Sequence, residues 1–258
     1  MWSWLDSRFL HLVFYKTYAD LRAESERTYI GFLWWIIEPV IDMMVYYVVF
    51  SLFLQRGTGS DFAPFLLIGM VTFRWFQTSV RLGGVSVIAN AGLMRLVYLP
   101  KIVFPSVAIL NVTVKFLPAF AILIVFLLIY GFPLTPAYAA LPVLLLVELL
   151  VILALTYLIA AVVPFVPDFW VAIDTGLTML FFLSGIFFAG SSLSGKYQFY
   201  FYLNPFAHII ENYRAILMSG VWPNWPPILW TGAGALVGIA IGSYLLARFD
   251  RLYPRSIR

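Results

Sequence analysis

The stretch Val103-Phe-Pro-Ser-Val-Ala-Ile-Leu-Asn-Val-Thr-Val-Lys-Phe-Leu-Pro-Ala-Phe-Ala-Ile-Leu-Ile-Val-Phe-Leu-Leu-Ile-Tyr130 carries one charged side chain, Lys115. It is longer than the roughly 20 apolar residues that carry a helix across a hydrocarbon core. Five further apolar runs flank it, near Phe32 to Leu54, Phe62 to Val80, Ala139 to Val166, Phe169 to Gly190 and Ile228 to Ala247. The expected fold is an all-α polytopic membrane protein with six transmembrane helices. The runs at 103–130 and 139–166 exceed one bilayer thickness. Each is expected to tilt, to kink at Pro118 or Pro142, or to extend beyond the lipid.

Composition supports the same class. Hydrophobic residues make up 63% of the 258 and charged ones 11%, against about 45–50% and about 25% in soluble domains. One aqueous core could not hide so much apolar surface, whereas lipid can replace water around it. The 24 Phe, 15 Tyr and 9 Trp fit a membrane setting too, since Trp and Tyr settle at headgroup level. The absence of cysteine excludes disulfides, a thiol nucleophile and thiolate metal sites.

The net charge of +4 reads as topology rather than nucleic-acid binding. With the N-terminus inside, Arg8, Lys16, Arg22, Arg27, Arg81, Arg95, Lys101, Arg248, Arg251, Arg255 and Arg258 are cytoplasmic. Arg56, Lys196 and Arg214 fall on the other side. Both ends carry the positive bias, so the number of spans is even and both termini are cytoplasmic. Residues 1–30 lack the short apolar run and cleavage site of a signal peptide.

Three segments outside the spans have helical character. Ser7 to Tyr29 mixes Phe9, Leu10, Val13, Phe14 and Leu21 with Arg8, Lys16, Asp20, Arg22 and Glu24, as in an amphipathic helix along the cytoplasmic face. In the cytoplasmic loop 82–102, Arg95 and Lys101 flank apolar Leu96, Val97, Tyr98 and Leu99, which predicts a short helix. The outer segment 191–227 contains Phe206 to Met218, an amphipathic stretch suited to dip back into the membrane. The organisation is thus an interface helix at 1–30 followed by a six-helix membrane domain at 31–258. The missing internal repeat weighs against an inverted-repeat secondary carrier.

No catalytic constellation is evident. His11 and His208 are predicted on opposite faces and cannot share a metal. Ser194-Gly195-Lys196 lacks the leading glycine and the trailing Ser/Thr of a nucleotide loop, so the chain is not expected to bind ATP itself. Asn111-Val112-Thr113 matches a glycosylation sequon but lies within a span. The acids are scattered, unlike the clusters an intramembrane transferase needs near one interface.

Charges inside the spans require a role because their burial is costly. Glu38 and Asp42 share a face of the first span, Arg74 and Arg81 a face of the second, with Lys115, Glu148 and Asp174 in the next three. Pairing of Glu38 or Asp42 with Arg74 or Lys115 would neutralise them; lining a hydrophilic path, or a proton relay, are the other readings. Gly234, Gly238 and Gly242 put small residues on one face of the last span, for a neighbouring helix or a second subunit. Thr175, Thr178 and Ser184 among Trp170, Phe181, Phe182, Phe187 and Phe188 suit either packing or a path for sugar rings.

The order of these features resembles the ABC-2-type permeases that export polysaccharides. Gly31-Phe-Leu-Trp-Trp-Ile-Ile-Glu-Pro39 is similar to that family's Gly-x-x-Trp…Glu-Pro opening of the first span. Arg95-Leu-Val-Tyr-Leu-Pro-Lys-Ile-Val-Phe-Pro105 resembles its cytoplasmic loop, and Asn204-Pro-Phe-Ala-His-Ile-Ile-Glu-Asn-Tyr-Arg214 its Asn-Pro…Arg segment before the last span. The likeness runs over the whole chain. It is strongest to the capsular polysaccharide (KpsM-type) subunits of Gram-negative bacteria, and next to the O-antigen (Wzm-type) subunits.

That resemblance implies a half-transporter in the bacterial inner membrane. Two copies would form one pore, and two separate ATP-binding subunits, holding ATP and Mg, would dock from the cytoplasm. The chain itself would have no cofactor and no enzymatic activity. The segment Ala91 to Leu99 would be the coupling helix, with Arg95, Leu96, Tyr98 and Lys101 as its contacts. Spans one and five would line the path, with Trp34, Trp35, Tyr46, Tyr47, Phe181, Phe182 and Phe188 as weak, replaceable contacts for a sliding glycan. Asn204, Pro205 and Arg214 would belong to a periplasmic gate. The cargo would be a lipid-linked, acidic capsular glycan, for which Arg56, Lys196 and Arg214 would make a mildly basic mouth. Periplasmic and outer-membrane capsule export proteins would continue the route. O-antigen, teichoic acid or another cargo would be carried on the same fold.

Overall fold

The computed structural model describes residues 7–27, 29, 31–49 and 61–253. Among them, every regular element is helical: α1 (Ser7–Glu26), α2 (Trp34–Tyr47), α3 (Phe62–Gly84), α4 (Ser86–Ala89), α5 (Ala91–Leu96), α6 (Val103–Tyr130), α7 (Leu141–Val162), α8 (Asp168–Leu183), α9 (Gly195–Phe201), α10 (Pro205–Leu217) and α11 (Trp225–Arg248). Short 3-10 turns precede α2, α7 and α9.

Among the described residues, three helical stretches are long and apolar enough to cross a membrane: Val103–Tyr130, Pro136–Val162 and Trp225–Arg248. Only 22% of the apolar window in the last is buried inside the chain. Leu229, Trp230, Val237 and Tyr244 instead point outward, to a surrounding that must itself be apolar.

The core is built around α3. Leu66, Leu67, Phe73, Phe76 and Val80 are fully buried there. Trp75 stacks on Phe116 of α6 at 4.3 Å and its indole N–H donates to Thr113 Oγ1 at 3.2 Å. Phe76 meets Phe206 of α10 at 3.9 Å. Thus α10 inserts its apolar stripe, from Phe206 through Ile210 and Tyr213 to Leu217, into the bundle. The amphipathic stretch expected at 206–218 is this helix.

Helix α6 is continuous through Pro118, whereas Pro142 falls in the first turn of α7 and kinks nothing. The long run at 139–166 is divided: a 3-10 turn at Pro136–Ala140 leads into 22 residues of α7, which stop before Pro164 and Pro167. The fifth run is shorter than expected. α8 ends at Leu183, and Gly185, at φ +74, turns the chain where a side-chain-bearing residue would be strained.

Helix α1 does not rest on one face alone. Val13 packs on Val103 and Val107 at the start of α6, and Glu24 pairs with Lys115 at 2.5 Å, about three turns further along α6. The apolar stripe of α1 therefore follows α6, and Leu10, Phe14, Tyr15 and Tyr18 remain exposed. Gly31, at φ +59, then turns the chain into α2.

Of the three glycines expected to share a face of α11, two serve its packing on α7. A Cβ on Gly238 would sit 2.9 Å from Ala154 Cβ, and one on Gly242 2.7 Å from Tyr157 Cβ and 3.0 Å from backbone. Gly234 faces open space. The close contact is within the chain.

Candidate functional site

A groove of about 640 Å³ opens between α2, α3, α6 and α8. Its floor is charged. On α2, Glu38 and Asp42 lie one turn apart, and both reach Arg74 of α3: Arg74 donates to Glu38 Oε1 at 2.8 Å and pairs with Asp42 through its other terminal nitrogen. The expected neutralisation of these acids by Arg74 is what the structure shows. Lys115 takes a different partner, Glu24 of α1, with its ammonium 5.7 Å from the centre of the Trp35 ring. Arg81 pairs with Asp174 of α8 at 2.6 Å, joining the second wall of the groove to the first. The spacing of charges along one helix could not reveal these last two pairs, because each joins elements far apart in sequence.

All of these pairs are partly exposed rather than sealed. Three cations, Arg74, Arg81 and Lys115, and two acids, Glu38 and Asp42, line the groove beside the Trp35 and Phe181 rings. Each of these cations has a carboxylate partner, so the wall offers polar contacts while every cation on it is paired.

The aromatic candidates separate. Trp35 lines the groove, and Trp34 is exposed outside its lining. Phe181 also lines the groove while packing edge-on against Phe73 at 5.5 Å. Phe182 is exposed and stacks on Phe187 at 5.7 Å. Phe188 packs on Phe201 at 5.6 Å, away from the groove lining. The side chains of Tyr46 and Tyr47, and Arg56 altogether, lie outside the described residues.

At one end of the bundle, α5 leads into an exposed tip. Leu96 is 82% exposed, and Val97, in extended conformation, and Tyr98 are exposed beside it. Arg95, just before them, is exposed as well. Asp250, just past α11, fixes the tip from below: it accepts from Tyr98 Oη at 2.6 Å and from the Lys101 backbone N–H at 2.9 Å. The hydrogen bond to Asp250, more than burial, raises the Tyr98 phenol above its ordinary range and keeps it a donor. Lys101 differs from its expected place as a surface contact. Its side chain is 2% exposed and turns inward, donating to Leu99 O at 3.1 Å with Asp250 at 3.9 Å. Burial lowers its pKa, with Asp250 opposing. Asp250 went unnoticed in the sequence because it sits among the tail arginines that signal topology.

At the other end, Asn204 caps α10: its Oδ1 accepts from Phe206 N–H at 2.9 Å and its amide donates to Ser184 Oγ at 2.9 Å. Pro205 occupies the first turn, where its missing N–H costs nothing. Arg214 is not part of a basic mouth. It is 7% exposed, and its guanidinium donates to the carbonyls of Phe65 (3.1 Å), Gly185 (2.7 Å) and Ile186 (2.9 Å) while lying 3.3 Å from the Phe65 ring centre. It is the clamp that satisfies the carbonyls freed where α8 stops. Lys196 is exposed on α9. Glu148 of α7 is fully buried and accepts from Tyr213 Oη at 2.8 Å, tying α10 to α7.

The arrangement therefore comprises an exposed tip braced at one end, a groove of paired charges and aromatic rings, and a clamped, inserted helix at the other end. A sequence profile of the ABC-2 type transporters matches residues 18–218. The chain is 26% identical over 240 residues, 92% of each chain, to an O-antigen export system permease protein of Klebsiella pneumoniae. It is also 26% identical over 240 residues, again 92% of each, to the O-antigen export system permease protein of Myxococcus xanthus. To the polysialic acid transport protein of Escherichia coli it is 24% identical over 228 residues, 86% of this chain and 87% of that one. The matched profile spans α2 through α10, the groove and the clamp included, and this multi-pass membrane chain belongs to the ABC-2 type transporter family.

Proposed function

We propose that the chain is the transmembrane subunit of an ATP-driven exporter of lipid-linked surface polysaccharide in the bacterial inner membrane. Two copies form one pore. Helices α2, α3, α6, α7, α8 and α11 cross the bilayer, with both termini cytoplasmic in keeping with the arginines and lysines. The interface segment, 1–30, carries α1, and the membrane domain is 31–258.

The observation that carries this reading is the braced tip. Three exposed apolar side chains in a row, Leu96, Val97 and Tyr98, are unusual on a free surface, and Asp250 anchors the segment through Tyr98 and the Lys101 backbone. They fit a separate ATP-binding subunit, which holds the ATP and Mg that this chain does not. Asp250 sits where α11 ends, so a push on the tip is transmitted to a membrane helix. Arg95 supplies a charged contact at the rim, and Lys101 positions the tip from inside.

Export of a sliding polymer requires many weak contacts. Trp35 and Phe181 with the paired charges provide these, and Trp34, Tyr46, Tyr47, Phe182 and Phe188 would act from the facing copy or the outer part of the path. Asn204, Pro205 and Arg214 hold the gate helix α10 in position. The cargo is a capsular glycan or an O-antigen. The O-antigen permeases match a larger share of the chain than the polysialic acid protein does, which favours the second over the first. In the capsule case, periplasmic and outer-membrane export proteins would continue the route.

The test is deletion of the gene and complementation. Wild type should restore surface glycan. A combined Trp35→Ala and Phe181→Ala chain should leave lipid-linked glycan inside the cell. Undiminished surface glycan in the deletion strain refutes the exporter reading; normal export by the double variant refutes the groove as the path.

A further inference from the structure

A second cavity, of about 620 Å³, lies between α10 and the loop that enters α11, lined by Tyr202, His208, Glu211, Asn212, Trp222 and Asn224. Asn224 directly precedes α11, whereas Asp250, which braces the tip, follows its other end. The 24 residues of α11 separate the two by roughly 36 Å. In the proposed orientation the cavity opens on the outer face.

The polar groups of this cavity are held in place. Glu211 Oε1 accepts from Gly190 N–H at 3.0 Å and from Tyr202 Oη at 3.1 Å. Burial, and after it Glu211, raise the Tyr202 phenol, so it stays a donor. Gly190 permits the approach, since a Cβ there would lie 2.7 Å from both Glu211 Oε1 and Tyr202 Oη. Asn212 Oδ1 accepts from Asn224 N–H at 2.6 Å, and its amide donates to His208 O at 2.7 Å. His208 Nε2 lies 2.9 Å from the Tyr202 carbonyl, which can only accept, so that nitrogen carries a proton. The two rings of Tyr202 and His208 stack at 5.1 Å.

These bonds leave Glu211 Oε2 without a partner among the described residues. The carboxylate is immobilised by its other oxygen. Trp222, 54% exposed, presents its indole in the same lining. No lysine or arginine lines the cavity. An anionic ligand would meet a carboxylate and no exposed counter-charge, because Arg214, the cation electrostatically coupled to Glu211, is buried on backbone carbonyls. A pyranose ring fits: its hydroxyls donate to the fixed carboxylate in charge-assisted bonds, and its C–H face covers the indole.

From this geometry we infer that the cavity is an exit subsite for a neutral, hydroxyl-rich sugar residue of the exported glycan. The inference rests on the exporter reading and departs from the acidic cargo that the expected basic mouth suggested. Arg214, the central charge of that mouth, is spent inside on backbone carbonyls. Glu211, three residues earlier, gives the local surface the opposite sign.

The experiment uses the full chain with its ATP-binding subunit in lipid nanodiscs, applied to an array of neutral and of uronate- or sialate-bearing oligosaccharides. Neutral oligosaccharides should bind at least about tenfold better than carboxylated ones. Trp222→Ala should weaken that binding by about tenfold or more. Glu211→Gln, which keeps shape and hydrogen bonding, should weaken it and narrow the discrimination against carboxylated sugars. Preference for carboxylated sugars, no binding of any sugar, or binding indifferent to Trp222→Ala overturns the subsite. Glycan export by the wild type, measured in parallel in complemented cells, keeps the two readings apart: intact export with any of those results removes the subsite alone, and absent export removes the exporter reading.

Discussion

Arg214 shows how one side chain can decide the backbone around it. Its N–H groups reach carbonyls on two separate segments, the start of α3 and the turn after α8. Irregular backbone at membrane depth is tolerated only where protein satisfies it. Lysine would keep the charge but lacks the planar fork that serves several carbonyls together. Arg214→Lys is therefore expected to destabilise the fold by about 3 kcal/mol or more, from at least two charge-assisted hydrogen bonds lost and their acceptors left buried. Thermal unfolding of the detergent-purified protein checks this, and an unchanged midpoint would remove the clamp. The residue was visible in the sequence as the cation that ends an Asn-Pro…Arg segment. Its burial was not, because its partners are main-chain carbonyls, which carry no sequence signal.

At the scale of elements, the glycines of α11 separate a pattern from its use. Spacing by four places Gly234, Gly238 and Gly242 near one stripe, yet only the latter two touch α7. At Gly242 an added methyl group meets backbone that cannot swing aside, so Gly242→Ala should cost about 1–3 kcal/mol through displacement of the helices. Gly234→Ala enters open space and should be neutral or gain up to about 1 kcal/mol from helix propensity. Denaturant titration of the two variants side by side makes the comparison, and equal effects would contradict the assigned face. The helices themselves were legible: the bounds of α3, α6, α10 and α11 fall within a few residues of the apolar and amphipathic runs. The end of α8 was not, since Phe187 and Phe188 continue the apolar run past Gly185 and the turn depends on a positive φ and a distant arginine.

Across the whole molecule, the tip and the gate helix are connected through the long helices between them. Asp250 joins the tip to α11, α11 packs closely on α7, and Glu148 of α7 holds Tyr213 of α10. If the exposed tip is the docking point, Leu96→Glu should reduce co-purification of the ATP-binding subunit by about tenfold or more while leaving the thermal midpoint unchanged, because Leu96 is 82% exposed and supports no core contact. Undiminished co-purification would move the docking site elsewhere.

By itself, the sequence determined that this chain lives in lipid, where its long apolar runs lie, and which residues mark its helix-bearing loops. Those features follow from local hydropathy and periodicity, which each segment carries on its own. Only the tertiary structure decided which charges meet. It gave Arg74 to Glu38 and Asp42, Lys115 to Glu24, Arg81 to Asp174, and Arg214 to carbonyls instead of a ligand. A charge inside a bundle takes the partner that three-dimensional packing brings within reach. That distance depends on how helices far apart in sequence cross, which no local pattern records.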